Sequence, residues 1–387
     1  MDTTEGGGEL LSKARALAPM IRACRDETER TGRTPTDIVR ALCDAGLFRM
    51  WLPKAVGGFE VDPVTFIDVV EELASADGAV AWNLMNGASY GLTAAYMAEN
   101  TAREIWNTPH TVVAGQLPPM GRALAVEGGY RVSGGWSFGS GILHATWVLS
   151  GCAVFDGAQP RMSDAGAPAI VHVMTPVREV KIDTNSWHVS GLRGTGSCDY
   201  TMNDVLVPTE RTFLFFYSHR FQPGPLYRLP PSLLAYPIAA VTIGIARAAI
   251  EALVELAKTS KSARGPLVEK PATQLAIAKA DALVGAARAH LHQTARDLWS
   301  TVSAGARVTN LQRARARASV VFAPQLCAQA VDLVWKAAGA AAIRESTVIE
   351  RCFRDLHAAA QHGAVVEGSA EDSGRVLLGL QPVNPTF

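Results

Sequence analysis

"GGYRVSGGWSFGSGILHATWVLSG", residues 128–151, breaks the helical texture of the chain on either side of it. Gly128 and Gly129 read as a hairpin turn. Beyond them glycine and serine punctuate short apolar and aromatic runs, a strand pattern rather than a helical one. The same texture extends outward through "HTVVAG" and "ALAVEGGYRVSGGWSF" on one side, and "ATWVLSGCAVF", "AIVHVMTP", "REVKI" and "MNDVLVP" on the other. Residues from about 111 to about 215 therefore read as β structure, with turns at the spacing of a sandwich or barrel.

On both sides of this block the apolar residues recur at helical spacing. Upstream, "IVRALCDAGLFRM" reads as one amphipathic segment that stops near Gly57 and Gly58, and "TFIDVVEELASADGAVAWNLMNGASYGLTAAYMAEN" supplies more helix. Downstream, four alanine-rich segments are predicted at about 233–261, 268–303, 308–341 and 345–370. Small side chains allow close helix approach, as in an antiparallel bundle. The expected organisation is α+β: an N-terminal helical domain over 1–110, a central β-barrel-like domain over 111–220, and a C-terminal four-helix bundle over 221–387.

The bulk numbers agree with several packed units. A chain of 387 residues, 48% apolar, exceeds the size at which one core stops growing. Lysine plus arginine equals aspartate plus glutamate, 36 each, which gives no support to a nucleic-acid or membrane-surface role. The six cysteines form no CxxC pair, so a reduced, cytoplasmic compartment is expected. The acidic, glycine-rich start "MDTTEGGGEL" does not read as a signal peptide. Residues 229–246 lack charge for 18 positions, but Pro230, Pro231 and Pro237 interrupt them, and a buried core helix is the expectation.

For chemistry, "RDLHAAAQHGAVVEG", residues 354–368, carries two of the nine histidines. His357 and His362 are five apart, about 140° around a helix at about 100° per residue, so an unbroken helix cannot aim both at one metal. A hydrogen-bonded bundle histidine and a catalytic histidine both remain open for each. "GWSFGSG" and "GLRGTGSCD" do not match the dinucleotide fingerprint, and no P-loop or GxSxG elbow occurs. Those glycine-rich runs read either as tight strand turns or as a surface of hydroxyls, amides and aromatics able to hold a flat heterocycle. "RARARA", with Arg313 and Arg317 on one helical face, reads as solvated or at a subunit contact.

Three motifs in order carry a resemblance: residues 128–151, "WHVSGLRGTGSCDYTMNDVLVP" (187–208) and "ERCFRDLHAAAQH" (350–362). Over nearly its whole length the chain resembles the acyl-CoA dehydrogenase superfamily. Within it, the likeness is to the flavin-dependent monooxygenases that serve as oxygenase components of two-component aromatic and indole hydroxylases. The resemblance implies a reduced flavin (FADH2 or FMNH2) between the β domain and the bundle, with molecular oxygen as co-substrate. It implies a separate NAD(P)H flavin reductase as partner, a small aromatic substrate, and a homo-oligomer, a dimer of dimers. Trp136, Ser137 and Phe138 would flank the flavin ring, with Ser140 near its reacting edge. Thr195 and Ser197 would meet its polar chain, and Arg264 its phosphate. His362 would be the catalytic base of a reaction that runs through a flavin C4a-hydroperoxide. Asn86, Ser89 and Tyr90 would line the substrate pocket, where related phenol hydroxylases carry a histidine. No metal is implied.

Two alternatives accompany this reading. Dehydrogenases of the superfamily often end in "RDxxxxQxYEG" with a glutamate base; here Gly363 holds that place, and "PPSLLAY" offers no carboxylate at the other known location. An acyl-CoA dehydrogenase-like FAD oxidoreductase would thus lack its base. An amine N-oxygenase on the same fold is the other alternative. Leu143 in "SGILHATW" replaces an acidic residue of the phenol hydroxylases, which points to a bulkier or less polar substrate, and His144 reads as structural.

Overall fold

The computed structural model describes residues 4–164, 166–215, 219–260, 265–384 and 387. Among these residues six α-helices come first: α1 (Thr4–Ala23), α2 (Arg25–Thr31), α3 (Thr36–Asp44), α4 (Pro63–Ala76), α5 (Gly78–Ser89) and α6 (Glu99–Ile105). Eight strands follow: β1 (Val113–Val126), β2 (Gly129–Gly139), β3 (Trp147–Asp156), β4 (Gln159–Pro160), β5 (Ile170–Pro176), β6 (Lys181–Asp183), β7 (Cys198–Pro208) and β8 (Thr212–Phe213). Helices then return as α7 (Tyr236–Thr259), α8 (Pro271–Ser303), α9 (Asn310–Ala338), α10 (Val348–Ala359) and α11 (Glu371–Leu377). The order is α, β, α, as the periodicity predicts.

Local chemistry sets several boundaries. Asp62 caps α4 through the Val64 and Thr65 amides, with Pro63 at the first helical position. Asp77 divides one long apolar run into α4 and α5 by taking the Val80 amide. The predicted segment 38–50 ends earlier than its hydrophobic pattern, because Gly46 turns the chain at φ 79° after Asp44. The segment 345–370 is likewise not one helix. It ends at Ala359, and His362 lies in the turn beyond, so the helical-wheel angle between His357 and His362 does not apply.

The strands pair in the order β6-β7-β2-β1-β3-β5-β8, with β4 beside β3. The β1–β3 pair is parallel and the other pairings are antiparallel. The sheet curls as a barrel would, since Thr175 on β5 reaches Met202 on β7 although the two strands are not neighbours in the ladder. Among the described strands the ladder stays open between β6 and β8, so the middle region is a curled mixed sheet rather than a closed barrel. It encloses its own apolar core, in which Trp136 stacks on Tyr200.

A second, larger core runs through the helices at both ends of the chain, from Leu10 in α1 to Leu356 in α10. Two stretches, Pro231–Thr259 and Asn310–Ile343, are long and apolar enough to cross a bilayer by length and composition. The apolar window of the first is 83% buried against protein, which agrees with a core helix.

Candidate active site

The loop before β7 carries the "GLRGTGS" motif and touches three helices. A side chain at Gly191 would stand 2.2 Å from the Arg354 carbonyl oxygen on α10. One at Gly194 would stand 2.1 Å from Thr28 on α2 and 3.1 Å from Ala79 on α5. Glycine is therefore required at both places for the loop to seat. Asp355, buried on α10, fixes it by accepting a 2.6 Å hydrogen bond from the Leu192 amide. Burial pushes the Asp355 carboxyl up to about 7, against the opposing pull of that amide.

In front of this loop lies a chain of hydroxyls. Thr195 donates from Oγ1 to the Leu192 carbonyl at 2.8 Å, and its oxygen is 2.7 Å from the Ser197 hydroxyl. Ser197 is 2.8 Å from the Ser140 hydroxyl. Ser140 in turn accepts from Trp82 Nε1 on α5 at 3.1 Å. Trp82 is the residue that joins the parts of the site. Its indole also stands edge-on to His362, with ring centroids 5.8 Å apart. Nothing in its sequence setting marks Trp82 as part of the site, although it precedes the expected pocket residues Asn86, Ser89 and Tyr90 on the same helix or at its end.

His362 is exposed on one side, yet the protein around it lowers its pKa below the ordinary imidazole value of 6.5 by desolvation. Nδ1 accepts a 3.2 Å hydrogen bond from the Ala364 amide. The neutral ring therefore carries its proton on Nε2, and that nitrogen donates. As held here His362 is a hydrogen-bond donor, and service as a base requires the ring to release Ala364 first. His357 faces away. Its Nε2 is 3.0 Å from Asp332 on α9 and its ring packs on Phe353, the structural role expected of one of the two histidines.

The remaining predicted residues divide by geometry. Ser137 and Phe138 are exposed at the end of β2. Phe138 is 62% exposed at φ 63°, a left-handed conformation that strains a bulky residue. Gln116 holds it through the Phe138 carbonyl at 2.7 Å, and Trp187 stands edge-on to it. The β2–β7 register shifts between Trp136 and Gly139, so the strand bulges where the aromatic turns outward. Trp136 itself is corrected. It is 1% exposed and bonded from Nε1 to the Gly151 carbonyl inside the sheet core, out of reach of a ligand.

Thr195 and Ser197 are also corrected, since both hydroxyls are buried and spent behind Ser140 rather than open to a cofactor's polar chain. Asn86 is half-buried and its amide nitrogen donates to the Trp82 backbone carbonyl at 3.0 Å. Ser89 is buried with a hydroxyl that has no protein partner. Tyr90 is buried and its hydroxyl is already engaged. Its hydroxyl donates to the Gly115 carbonyl at 3.0 Å, and burial raises its pKa well above the ordinary phenol range. Arg264 lies outside the described residues. His144 is half-buried beside Gly141 with its covered Nε2 unpartnered, and desolvation lowers its pKa to about 4, so it is neutral.

These residues fit a flat heterocycle. An exposed, conformationally strained phenylalanine, two accessible serines and an indole wall surround one place. A cofactor ring would lie against Phe138, Ser137 and Ser140. Among the described residues one group has metal-ligand chemistry, Asp68, Glu71 and His292, remote in sequence from these. There Arg247 and Arg288 already hold the carboxylates at 2.6–3.0 Å, so the negative charge is neutralised by the protein itself. The hollow of about 620 Å³ beside Arg49 and Phe59 contains none of the site residues.

Known proteins resemble this chain over most of its length. Residues 10–106 match the acyl-CoA dehydrogenase N-terminal domain, and residues 236–367 match the acyl-CoA dehydrogenase C-terminal domain. The chain is 31% identical, over 90% of its length and 92% of the relative's, to the flavin-dependent monooxygenase oxygenase subunit HsaA of Rhodococcus jostii. It is 32% identical to the indole-3-acetate monooxygenase of Acinetobacter baumannii, over 93% of this chain and 92% of that one. The structure of XiaF from Streptomyces, solved with FADH2 and glycerol, superposes with a TM-score of 0.89 at 26% identity, over all of this chain and 98% of that one. The chain belongs to the acyl-CoA dehydrogenase superfamily, in its flavin-dependent monooxygenase branch.

Proposed function

We propose that the protein is the oxygenase component of a two-component monooxygenase that hydroxylates an electron-rich aromatic substrate, phenolic, indolic or polycyclic. The observation that carries this reading is the joining of His362, Trp82 and Ser140 at one place. Gly363, where a dehydrogenase's glutamate would stand, faces open space. Reduced flavin, bound there, supplies the oxygen-activating chemistry, with molecular oxygen as co-substrate.

The chain's own residues position and shield. Phe138 and Trp187 give the ring an aromatic platform, and Ser140 meets its edge. Trp82 closes the apolar wall and limits water. His362, kept neutral by its surroundings, donates from Nε2 to a polar atom of the substrate and holds the electron-rich ring in line. The electrons reach the site as free reduced flavin from a separate NAD(P)H reductase in the cytoplasm. Only 33% of the apolar window of Asn310–Ile343 is buried within the protomer, and Ile343, Leu377 and Leu378 are exposed, which supports a homo-oligomer, a dimer of dimers.

The test is reconstitution. Aromatic product is expected only when reductase, NAD(P)H, flavin and oxygen are all present. Reduction of a dye by an acyl thioester without a reductase would instead identify a dehydrogenase. His362→Ala is expected to retain flavin affinity and lose about 10²-fold or more in product formation. Normal hydroxylation by that variant would remove His362 from the mechanism.

A further inference from the structure

The hydroxyl chain behind Ser140 has a direction. Each hydroxyl owns one proton. Thr195 gives its proton to the Leu192 carbonyl, so the Thr195–Ser197 bond is donated by Ser197. The proton of Ser197 is then spent, so the Ser140–Ser197 bond is donated by Ser140. Trp82 Nε1–H, which can only donate, enters Ser140 from the other side. In this arrangement the half-buried Ser140 turns its proton inward and presents a lone pair to the site.

The reverse arrangement is available without moving a heavy atom. Thr195 then donates to Ser197, Ser197 to Ser140, and Ser140 outward. The Leu192 carbonyl is not orphaned, because it also accepts from the Thr195 amide at 3.1 Å. Both arrangements leave every buried group a partner, but the reverse gives up the Thr195 hydroxyl bond to the Leu192 carbonyl, so the inward polarity is favoured by one hydrogen bond unless a ligand offsets it.

We propose that Ser197 and Thr195 are positioning residues that set the direction of the Ser140 proton and thereby make the site discriminate reduced from oxidised flavin. The inference rests on the reading above that a flavin ring lies against Ser140. A reduced ring presents an N–H on its central ring where the oxidised ring presents a bare nitrogen. The inward polarity offers that N–H an acceptor. The oxidised ring requires the chain to reverse before it receives a hydrogen bond. An oxygenase fed by diffusing reduced flavin gains from this preference, since spent flavin competes less for the site.

The experiment measures dissociation constants of the full-length protein for FMN and for FAD, each oxidised and dithionite-reduced under anaerobic conditions. The readout is the oxidised-to-reduced ratio, which a general loss of packing does not move. Wild type is expected to bind the reduced form more tightly. Ser197→Ala frees the Ser140 proton, and Thr195→Val leaves Ser197 no acceptor but Ser140. Both are expected to lower the ratio about tenfold, mainly by tightening the oxidised form. Thr195→Ser keeps the relay and is expected to keep the wild-type ratio. Ser140→Ala is expected to abolish the preference. A wild-type ratio near one overturns the proposal. So do unchanged ratios in Ser197→Ala and Thr195→Val when Ser140→Ala has lost its preference, and that result leaves the site reading intact. An unchanged ratio in Ser140→Ala overturns both.

Discussion

Two residues show how side-chain identity becomes chemistry here. Desolvation holds the His362 pKa below 6.5, so the ring is neutral at physiological pH. Protonation of Nδ1 breaks the Ala364 contact that orients the ring, so rate is expected to fall as pH falls through that lowered value, with the acid limb of kcat/KM below 6.5. His362→Gln, which keeps an amide donor without a titrating group, is expected to lose that limb while retaining more activity than His362→Ala. Trp82 serves His362 and Ser140 at once. Trp82→Phe keeps a ring against the imidazole but removes the Nε1–H, at a cost of about 1 kcal/mol. Product formed per flavin oxidised is expected to fall several-fold in that variant, because Ser140 loses one of its two anchors. The resemblance pointed to His362, but neither its tautomer nor the part of Trp82 was legible in the sequence. The histidine's tautomer depends on the Ala364 amide two residues on, and the indole meets Ser140 across 58 positions of chain.

At the scale of elements, the "GLRGTGS" loop and α10 act as one piece. The loop reads as a strand turn in sequence because its glycines resemble turn glycines. In the structure Gly191 is small so that the loop can press on the α10 backbone. Gly191→Ala is expected to lower stability by about 2 kcal/mol or more, since the added methyl meets backbone that cannot yield, and thermal unfolding would report it. Asp355 gives the contact a pH dependence of unusual sign. Its folded pKa, about 7, exceeds the ordinary 3.8. Between those values the native state holds a proton that the unfolded state has released, so this group's contribution falls as pH rises from 3.8 to about 7. The neutral rings of half-buried His144 and buried His172, both lowered to about 4, act the other way and cost stability as pH falls through 6.5. The protein is therefore expected to lose stability on acidification from 6.5 towards 4. Asp355→Asn is expected to make that loss steeper by removing the opposing proton, and urea unfolding at several pH values measures the difference.

For the whole molecule, the helices at the two ends of the chain share one core and are tied by a charged cluster. Glu71 on α4, 1% exposed, bonds to Arg247 on α7 and to Arg288 on α8. Glu71→Ala leaves two arginines short of a partner, and a loss of about 3 kcal/mol in unfolding free energy is expected. Added zinc is expected to leave the melting temperature unchanged, because guanidinium groups already occupy the carboxylates.

The α–β–α order followed from the sequence alone, because periods of 3.6 and 2 are written in the spacing of apolar residues. The three motifs in their order also sufficed to place the family. What the sequence could not decide was direction and depth. Trp136 and Phe138 are two residues apart on one strand, and alternation would give them the same side. A bulge sends one into the core and the other to solvent. Thr195, Ser197 and Ser140 look alike as hydroxyls in glycine-rich runs, yet two are buried behind the third. Those distinctions depend on contacts between segments far apart in the chain, α5 with β2 and α10 with the loop before β7. Only the folded chain brings those segments within hydrogen-bonding distance.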